Sequence, residues 1–560
     1  MEMNRNAAGA VAFCAAAFFS LPASGEPVSS CESLAGLSLP NTTITLAATV
    51  AAGAFDPPGP TPAIDTAACR IVGSIKPTGD SNIVFELWMP TGGWNGKFLS
   101  AGEGGYAGAI NYGGIADALR RGYAGGSTDT GHVGGTADFA PGHPEKVTDF
   151  GWRGKHLQAE RSKDVIHAFY GERAKHSYFS SCSNGGRQAL MELQRFPEDY
   201  DGVLVGAPAH DWTNLFAAFV WNEQALWNTP GAYMNANKLA AVQAATLATC
   251  DALDGVTDGV VEDPRRCKFD PASLACPAGT DSDSCLTPPQ VSAVQKIMSG
   301  PRNPRTGQHI FPGWFTSGAG APGSWSAWIT GPAVPGASIQ GFFGNGFFGR
   351  MVNEIPAPGV WDFSTFNFDS DMAAADAKEE RTFNATDPEL HSFRHHNRHG
   401  KIIMWHGWED PAISALSSVD YYREVVRENP DARDFVRLFM APGMLHCGGG
   451  PGPNSFGQSL AQAKPLSNAP EHDILSALER WVEHGVPPKR VVAVKYVNDQ
   501  PAQGVLRTRP LCAYPKVAVY KGTGSTDDEA NFACRKPKHH GHWHFDDRDR
   551  DDDRRDNDDD

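Results

Sequence analysis

Ser183 stands in the run Ser181-Cys182-Ser183-Asn184-Gly185-Gly186-Arg187-Gln188. A serine flanked by small residues two positions either side fits a tight strand-to-helix turn that exposes its hydroxyl as a nucleophile. Gly185 fills the second of those positions, and Ser181 stands where a glycine is usual. Upstream, His176-Ser177-Tyr178-Phe179 reads as a short buried strand. Downstream, Gln188 to Gln194 reads as a helix. Strand, turn and helix are the setting such a serine needs. A hydroxyl is a weak nucleophile unless an imidazole takes its proton, and the imidazole needs a carboxylate to fix its tautomer. His446 supplies the imidazole, in the glycine-rich run from Gly443 to Pro453, with Cys447 directly after it. Asp410 supplies the carboxylate, in His406-Gly407-Trp408-Glu409-Asp410-Pro411, after the apolar run Ile402-Ile403-Met404-Trp405.

The order Ser183, Asp410, His446 is the chain order of α/β-hydrolases and differs from the chymotrypsin and subtilisin orders. The expected fold is therefore α/β, an α/β-hydrolase core with a large lid inserted between nucleophile and acid. The glycine loop Gly102-Glu103-Gly104-Gly105-Tyr106-Ala107-Gly108 follows the strand-like Lys97-Phe98-Leu99-Ser100. It lacks the Lys-Ser/Thr ending of a phosphate-binding loop. In a hydrolase such a loop gives a backbone N–H to the oxyanion hole. Gly105 is the expected donor, with the Asn184 N–H as the second; a plain structural turn is the alternative.

These residues carry a resemblance. The chain resembles the tannase and feruloyl esterase family, which includes bacterial hydrolases of terephthalate monoesters. Cys182-Ser183, Asp410 and His446-Cys447 match its Cys-Ser, Asp and His-Cys arrangement. Phe85 to Pro90 with Trp94-Asn95-Gly96, Arg195 to Gly202, and Gly206-Ala207-Pro208-Ala209 match as well. The similarity runs from about Cys31 to about Cys534. Ser181 and the stretch His396 to Lys401 depart from the family pattern without touching the triad. The resemblance implies a serine carboxylesterase acting on small esters of aromatic acids, of feruloyl, galloyl or terephthaloyl type. It also implies the disulfides Cys31–Cys69, Cys182–Cys447, Cys250–Cys267, Cys276–Cys285 and Cys512–Cys534. A polyphenol- or carbohydrate-binding protein that kept the fold and lost the chemistry is the rival reading, since fold does not fix function.

Asp251, Asp254 and Asp258 lie around Gly255 and Gly259. Calcium takes six to eight oxygens from carboxylates and carbonyls on a turning loop. The spacing is not that of an EF-hand, and an Asp/Gly turn has the same look. The resemblance implies a structural calcium ion held by these side chains and by the Val256 and Val260 carbonyls.

Composition sets the frame. The chain has 560 residues and a formal charge of −16, which argues against a nucleic-acid partner. Residues 1–25 read as an export signal: Arg5, an apolar run from Ala7 to Leu21, then small residues. That run is short for a membrane span, and Phe13 before Cys14 is too large for a lipidation site. Setting Cys14 aside leaves ten cysteines, an even number suited to an oxidising compartment. The expected location is periplasmic or extracellular, with no membrane partner. Expected boundaries are 26–208 for the first part of the core, 209–397 for the lid with the calcium loop, and 398–534 for the second part. Residues 535–560 form a His/Asp/Arg tail that cannot bury enough apolar surface to order itself. In the lid, Trp325, Trp328, Phe342, Phe343, Phe347 and Phe348 are candidates for an acyl pocket or for lid core.

Overall fold

The computed structural model describes residues 25–58, 63–396, 400–458 and 463–537. The export segment with Cys14, the start of the second core part around His399, and the tail beyond Pro537 lie outside them. The described chain divides into two compact units. One comprises residues up to Gly135 and His143–Phe179, the other Thr136–Gly142 and residues from Ser180.

The first unit is built on β1 (Thr42–Val50), β2 (Ala68–Ile75), β3 (Ile83–Pro90), β4 (Lys97–Ala101) and β5 (Ala124–Thr128), in the order β1-β2-β3-β5-β4. The first three pair antiparallel, and β4 joins β5 in parallel. Cys69, Ile71, Gly73 and Ile75 turn one side of β2 inward, whereas β3 is buried along nearly its whole length. Cys31–Cys69 pins the N-terminal turn to β2. The glycine loop after β4 is anchored through Glu103. Its buried carboxylate accepts from the Ser127 hydroxyl at 3.0 Å and lies 3.4 Å from the Lys155 ammonium. Gly105 sits in this loop at φ 57°, a left-handed conformation that glycine adopts without steric cost.

β6 (His176–Cys182) leads from the first unit into the second. In the second unit the strands stand in the order β6-β7-β8-β9, with β7 (Gly202–Gly206), β8 (Lys401–Gly407) and β9 (Val436–Ala441). β7, β8 and β9 run parallel and are buried almost throughout, as expected of strands covered on both faces. Helices Asn184–Arg195, Ala415–Glu428 and Ile474–His484 follow β6, β8 and β9. Between β7 and β8 the described residues form helices, turns and isolated bridges and no strand. The hairpins β10–β11 (Arg490–Tyr496, Val505–Cys512) and β12–β13 (Val517–Tyr520, Phe532–Arg535) are the last described elements, closed by Cys512–Cys534. They return to the core where Tyr514 N–H donates to the Leu438 carbonyl. No described helix is long and apolar enough to cross a membrane.

Candidate active site

Ser183 caps the end of β6 at φ 68°, ψ −126°, a region costly for any residue with a Cβ. The turn is held from both sides. Ser183 N–H donates to the Gly206 carbonyl at 3.0 Å, and Ala209 N–H donates to the Ser183 carbonyl at 3.1 Å. Gly186 is needed in the helix that follows, because a Cβ there would lie 2.3 Å from the Gly206 carbonyl oxygen. Among the described residues the Ser183 hydroxyl has no hydrogen-bond partner. Asn184 opens the helix, and the first N–H groups of a helix have no partner within it. The Asn184 side chain accepts from Arg187 Nε at 2.8 Å. That buried guanidinium lies over the Trp212 ring, and burial brings its pKa down to about 9. Gly105 stands in the first unit and Asn184 in the second.

Asp410 follows β8 in a turn that satisfies both its oxygens. Oδ1 accepts from the Ala412 and Ile413 N–H groups at 2.8 and 2.9 Å. Oδ2 lies 2.8 Å from His446 Nδ1 and 3.1 Å from His406 Nε2. Burial works to raise this carboxyl. The His446 charge and the hydrogen bonds of both histidines outweigh it and hold it well below the usual carboxylate range. The neighbouring Glu409 turns away from His446: its carboxyl accepts from Ser317 Oγ at 3.0 Å and Gly443 N–H at 2.7 Å. Burial pushes Glu409 up to about 8.

The Cys182–Cys447 disulfide, with Cα atoms 6.0 Å apart, brings together two segments 265 positions distant. Each cysteine adjoins one of the paired residues, so the bridge carries His446 to the Ser183 turn. The Trp328 ring stands edge-on to the His446 imidazole, centroids 5.1 Å apart, and Phe343 stacks on Trp328 at 6.1 Å. Phe342 is exposed, whereas Trp325, Phe347 and Phe348 are buried in lid core. The six lid aromatics therefore divide: Trp328 reaches the imidazole with Phe343 stacked on it, and three of the others fill the lid.

The loop 251–263 is closed by Cys250–Cys267, with a sequence separation of 17. Asp251 accepts from the Asp258 and Gly259 N–H groups, and Asp254 from the Val256 N–H. Asp258 Oδ2 takes Arg507 and Arg509 at 2.8 and 2.7 Å. The three carboxylates do not converge on one point among the described residues. Val256 packs with Cys512, Ala518 and Phe532. Burial, and then the charges of Asp258 and Asp251, lift the Asp254 carboxyl to about 6 against the pull of the Val256 N–H. The donor types, carboxylate and carbonyl oxygens on a turning loop, fit a hard cation, while Arg507 and Arg509 already offset part of the negative charge.

His406, Arg187 and Ser317 have no assignment from sequence alone. His406 carries the clearest signal of the three, because its spacing of four from Asp410 across a strand end is a short reach. Arg187 and Ser317 gave no such signal.

Residues 69–535 match the family described as tannase and feruloyl esterase. An uncharacterised esterase of Xanthomonas campestris is 43% identical, with 93% of each chain covered. The mono(2-hydroxyethyl) terephthalate hydrolase of Piscinibacter sakaiensis is 33% identical over 84% of this chain and 85% of that one. The crystal structure of feruloyl esterase B from Aspergillus oryzae superposes with a TM-score of 0.82 at 30% identity, covering 90% of this chain and 99% of that one.

Proposed function

The chain belongs to the tannase and feruloyl esterase family, and is an α/β-hydrolase-fold carboxylic ester hydrolase; from that premise we propose that it cleaves esters of aromatic carboxylic acids through Ser183, His446 and Asp410. The observation that carries the reading is the His446 imidazole held between the Asp410 carboxylate, 2.8 Å from Nδ1, and the edge-on Trp328 ring. The carboxylate fixes the tautomer that leaves Nε2 as a base. The aromatic wall suits a flat acyl group, for which offset and edge-on ring contacts are favourable. The names of two similar proteins, a feruloyl esterase and a terephthalate monoester hydrolase, support the same acyl class.

In this reading Nε2 of His446 takes the Ser183 proton as Oγ attacks the ester carbonyl. The C=O pair becomes an oxyanion that the Asn184 N–H receives. His446 then gives its proton to the leaving alkoxide, and the acyl-serine remains. Water, deprotonated by the same imidazole, releases the acid and restores Ser183. Asp410 stays ionised throughout. Asp251, Asp254 and Asp258 with the Val256 and Val260 carbonyls would hold a calcium ion; when bound it supplies cross-linking charge to the lid loop and takes no part in the chemistry. The five disulfides support an oxidising, periplasmic or extracellular location.

Methyl ferulate, methyl gallate and a terephthalate monoester, assayed side by side with p-nitrophenyl acetate, test the acyl class. At least one aromatic ester should exceed the acetate in kcat/KM. A preference for the acetate over all three would remove the aromatic assignment.

A further inference from the structure

Asp410 serves two histidines, and the triad accounts for only one. His406 is fully buried at the end of β8. Its Nε2 lies 3.1 Å from Asp410 Oδ2 and 3.1 Å from the Ile413 carbonyl oxygen. Both partners only accept, the carboxyl because it is ionised, so Nε2 must carry a proton. Nδ1 faces the Ser418 hydroxyl at 2.8 Å, which can donate to it and leave the ring neutral. This arrangement determines the second tautomer of the site as firmly as Asp410 determines that of His446.

We propose that His406 is a positioning residue for the ester hydrolysis: its Nε2–H fixes the Asp410 carboxylate and shares the oxygen that receives His446 Nδ1–H. The inference rests on the triad reading above. Two consequences follow from the geometry. Oδ2 is held between two N–H donors, while Oδ1 is held by two backbone N–H groups, so the carboxylate plane cannot turn away from His446. A carboxylate that already donates electron density to His406 also attracts the His446 proton less, which keeps that proton on the imidazole when it becomes cationic. The same N–H ties the acid to the Ile413 carbonyl and so closes the turn from Asp410 to Ile413 on itself. The charged or titratable groups facing His406 are Asp410 below it in the turn, His446 beyond that carboxylate, and His210 from the segment after β7. Burial brings His210 down to about 4, and the neighbourhood of His406 adds to the shift. Neutral at working pH, His210 does not supply a competing charge.

The test uses the full-length protein. Ser183→Ala and Asp410→Asn come first: if either keeps wild-type activity the triad reading fails, and the role of His406 falls with it. With those two inactive, His406→Leu removes the donor and His406→Gln keeps an amide N–H near the same place without a titrating ring. His406→Leu should lower kcat by about tenfold or more, as loss of orientation does, with KM nearly unchanged. It should also move the acidic limb of the kcat/KM profile to higher pH, because an unshared carboxylate stabilises the imidazolium more. His406→Gln should keep kcat within about threefold and leave the limb in place. Wild-type kcat and limb in a folded His406→Leu would overturn the proposal. So would a His406→Gln enzyme, folded by circular dichroism, that loses as much as His406→Leu is expected to lose. If His406→Leu does not fold, the glutamine variant alone decides.

Discussion

The Asp410 turn and the loop 251–263 set buried carboxylates in the same unit under opposite electrostatics. Burial alone would lift both. At Asp410 two imidazoles and two backbone N–H groups converge, and the carboxyl is held far down. At Asp254 burial outweighs the Val256 N–H and the Arg509 charge, the carboxylates of Asp258 and Asp251 add to it, and the group rises to about 6. The two regions are also stapled differently, by a disulfide spanning 265 positions in one and 17 in the other. What a buried acid does is decided by what faces it: the first is held ionised by two imidazoles, and the second keeps its proton up to about pH 6.

The most severe way to break the comparison is at the first region. Ser183→Ala should lower kcat by about 10⁴-fold or more while leaving the fold intact. Asp410→Asn should lower it by about 10²-fold or more, because the amide can present the wrong group to His446 Nδ1. Single-turnover assays on an activated ester, with circular dichroism as a folding control, measure both. If Asp410→Asn is harmless, the depressed carboxyl has no part in the chemistry and the contrast between the regions is merely electrostatic.

Removing the two staples compares them directly. The chain-entropy model assigns about 5 kcal/mol to loops longer than ~100 residues and about 3 kcal/mol to short ones, with measured values often smaller. Cys182→Ala with Cys447→Ala should therefore lower Tm more than Cys250→Ala with Cys267→Ala. It should also reduce kcat at temperatures where the variant stays folded, since the glycine-rich turn bearing His446 loses its tether to Ser183 and small displacements of reacting groups are costly. The second pair should leave kcat near wild type. Equal loss of kcat in both variants would mean that the tether acts on global stability alone.

Much of this layout can be read from the chain, and the reasons are local. The strand at His176, the helix after Ser183, the acid strand at Ile402 and the helices near Ser417 and Asp473 all appear, with ends shifted by no more than four residues. Apolar runs bounded by glycine and by capping residues carry that information in sequence neighbours. Which acid faces His446 is not local. Glu409 and Asp410 are adjacent, and only the direction of the turn sends one to Gly443 and the other to His446. The division of the lid aromatics is equally invisible, because Trp328 and Phe343 differ from Phe347 and Phe348 in packing and not in pattern.

The second region responds to pH and to cation. The Asp254 carboxyl in the folded chain titrates above its ordinary value, so the folded state binds that proton more tightly than the unfolded state does. Its contribution is fully present below 3.8 and is lost as pH rises to about 6. Calcium reverses the sign, since only the ionised carboxylates bind it. Melting curves should show that calcium raises Tm more at about pH 7 than at about pH 4, and that Asp254→Asn removes most of that gain. A chelated protein with no change in Tm on adding calcium would leave the loop as a hydrogen-bonded turn neutralised by Arg507 and Arg509.

The finest probe is Glu409, which adjoins Asp410 yet titrates like the second region. Its carboxyl is raised from 4.5 to about 8 by burial, against the pull of Ser317 and Gly443. The sign is therefore the same as for Asp254: stability is present below 4.5 and is lost as pH rises through about 8. Glu409→Gln replaces the carboxyl by an amide that never ionises. Its oxygen can accept from the Gly443 N–H, which has no other option, and its NH₂ can donate to Ser317, whose hydroxyl can turn to accept. The variant should match wild type at about pH 5 and exceed it by about 1–3 °C in Tm at about pH 9. Activity should stay within about threefold, because Asp410 and His446 keep their contacts. Glu409→Ala should fare worse at every pH, since it leaves the Gly443 N–H buried without an acceptor. If the difference between Glu409→Gln and wild type is flat with pH, Glu409 is ionised in its buried position. The turn would then hold two charged acids side by side, and the contrast between the regions would lie in the partners alone.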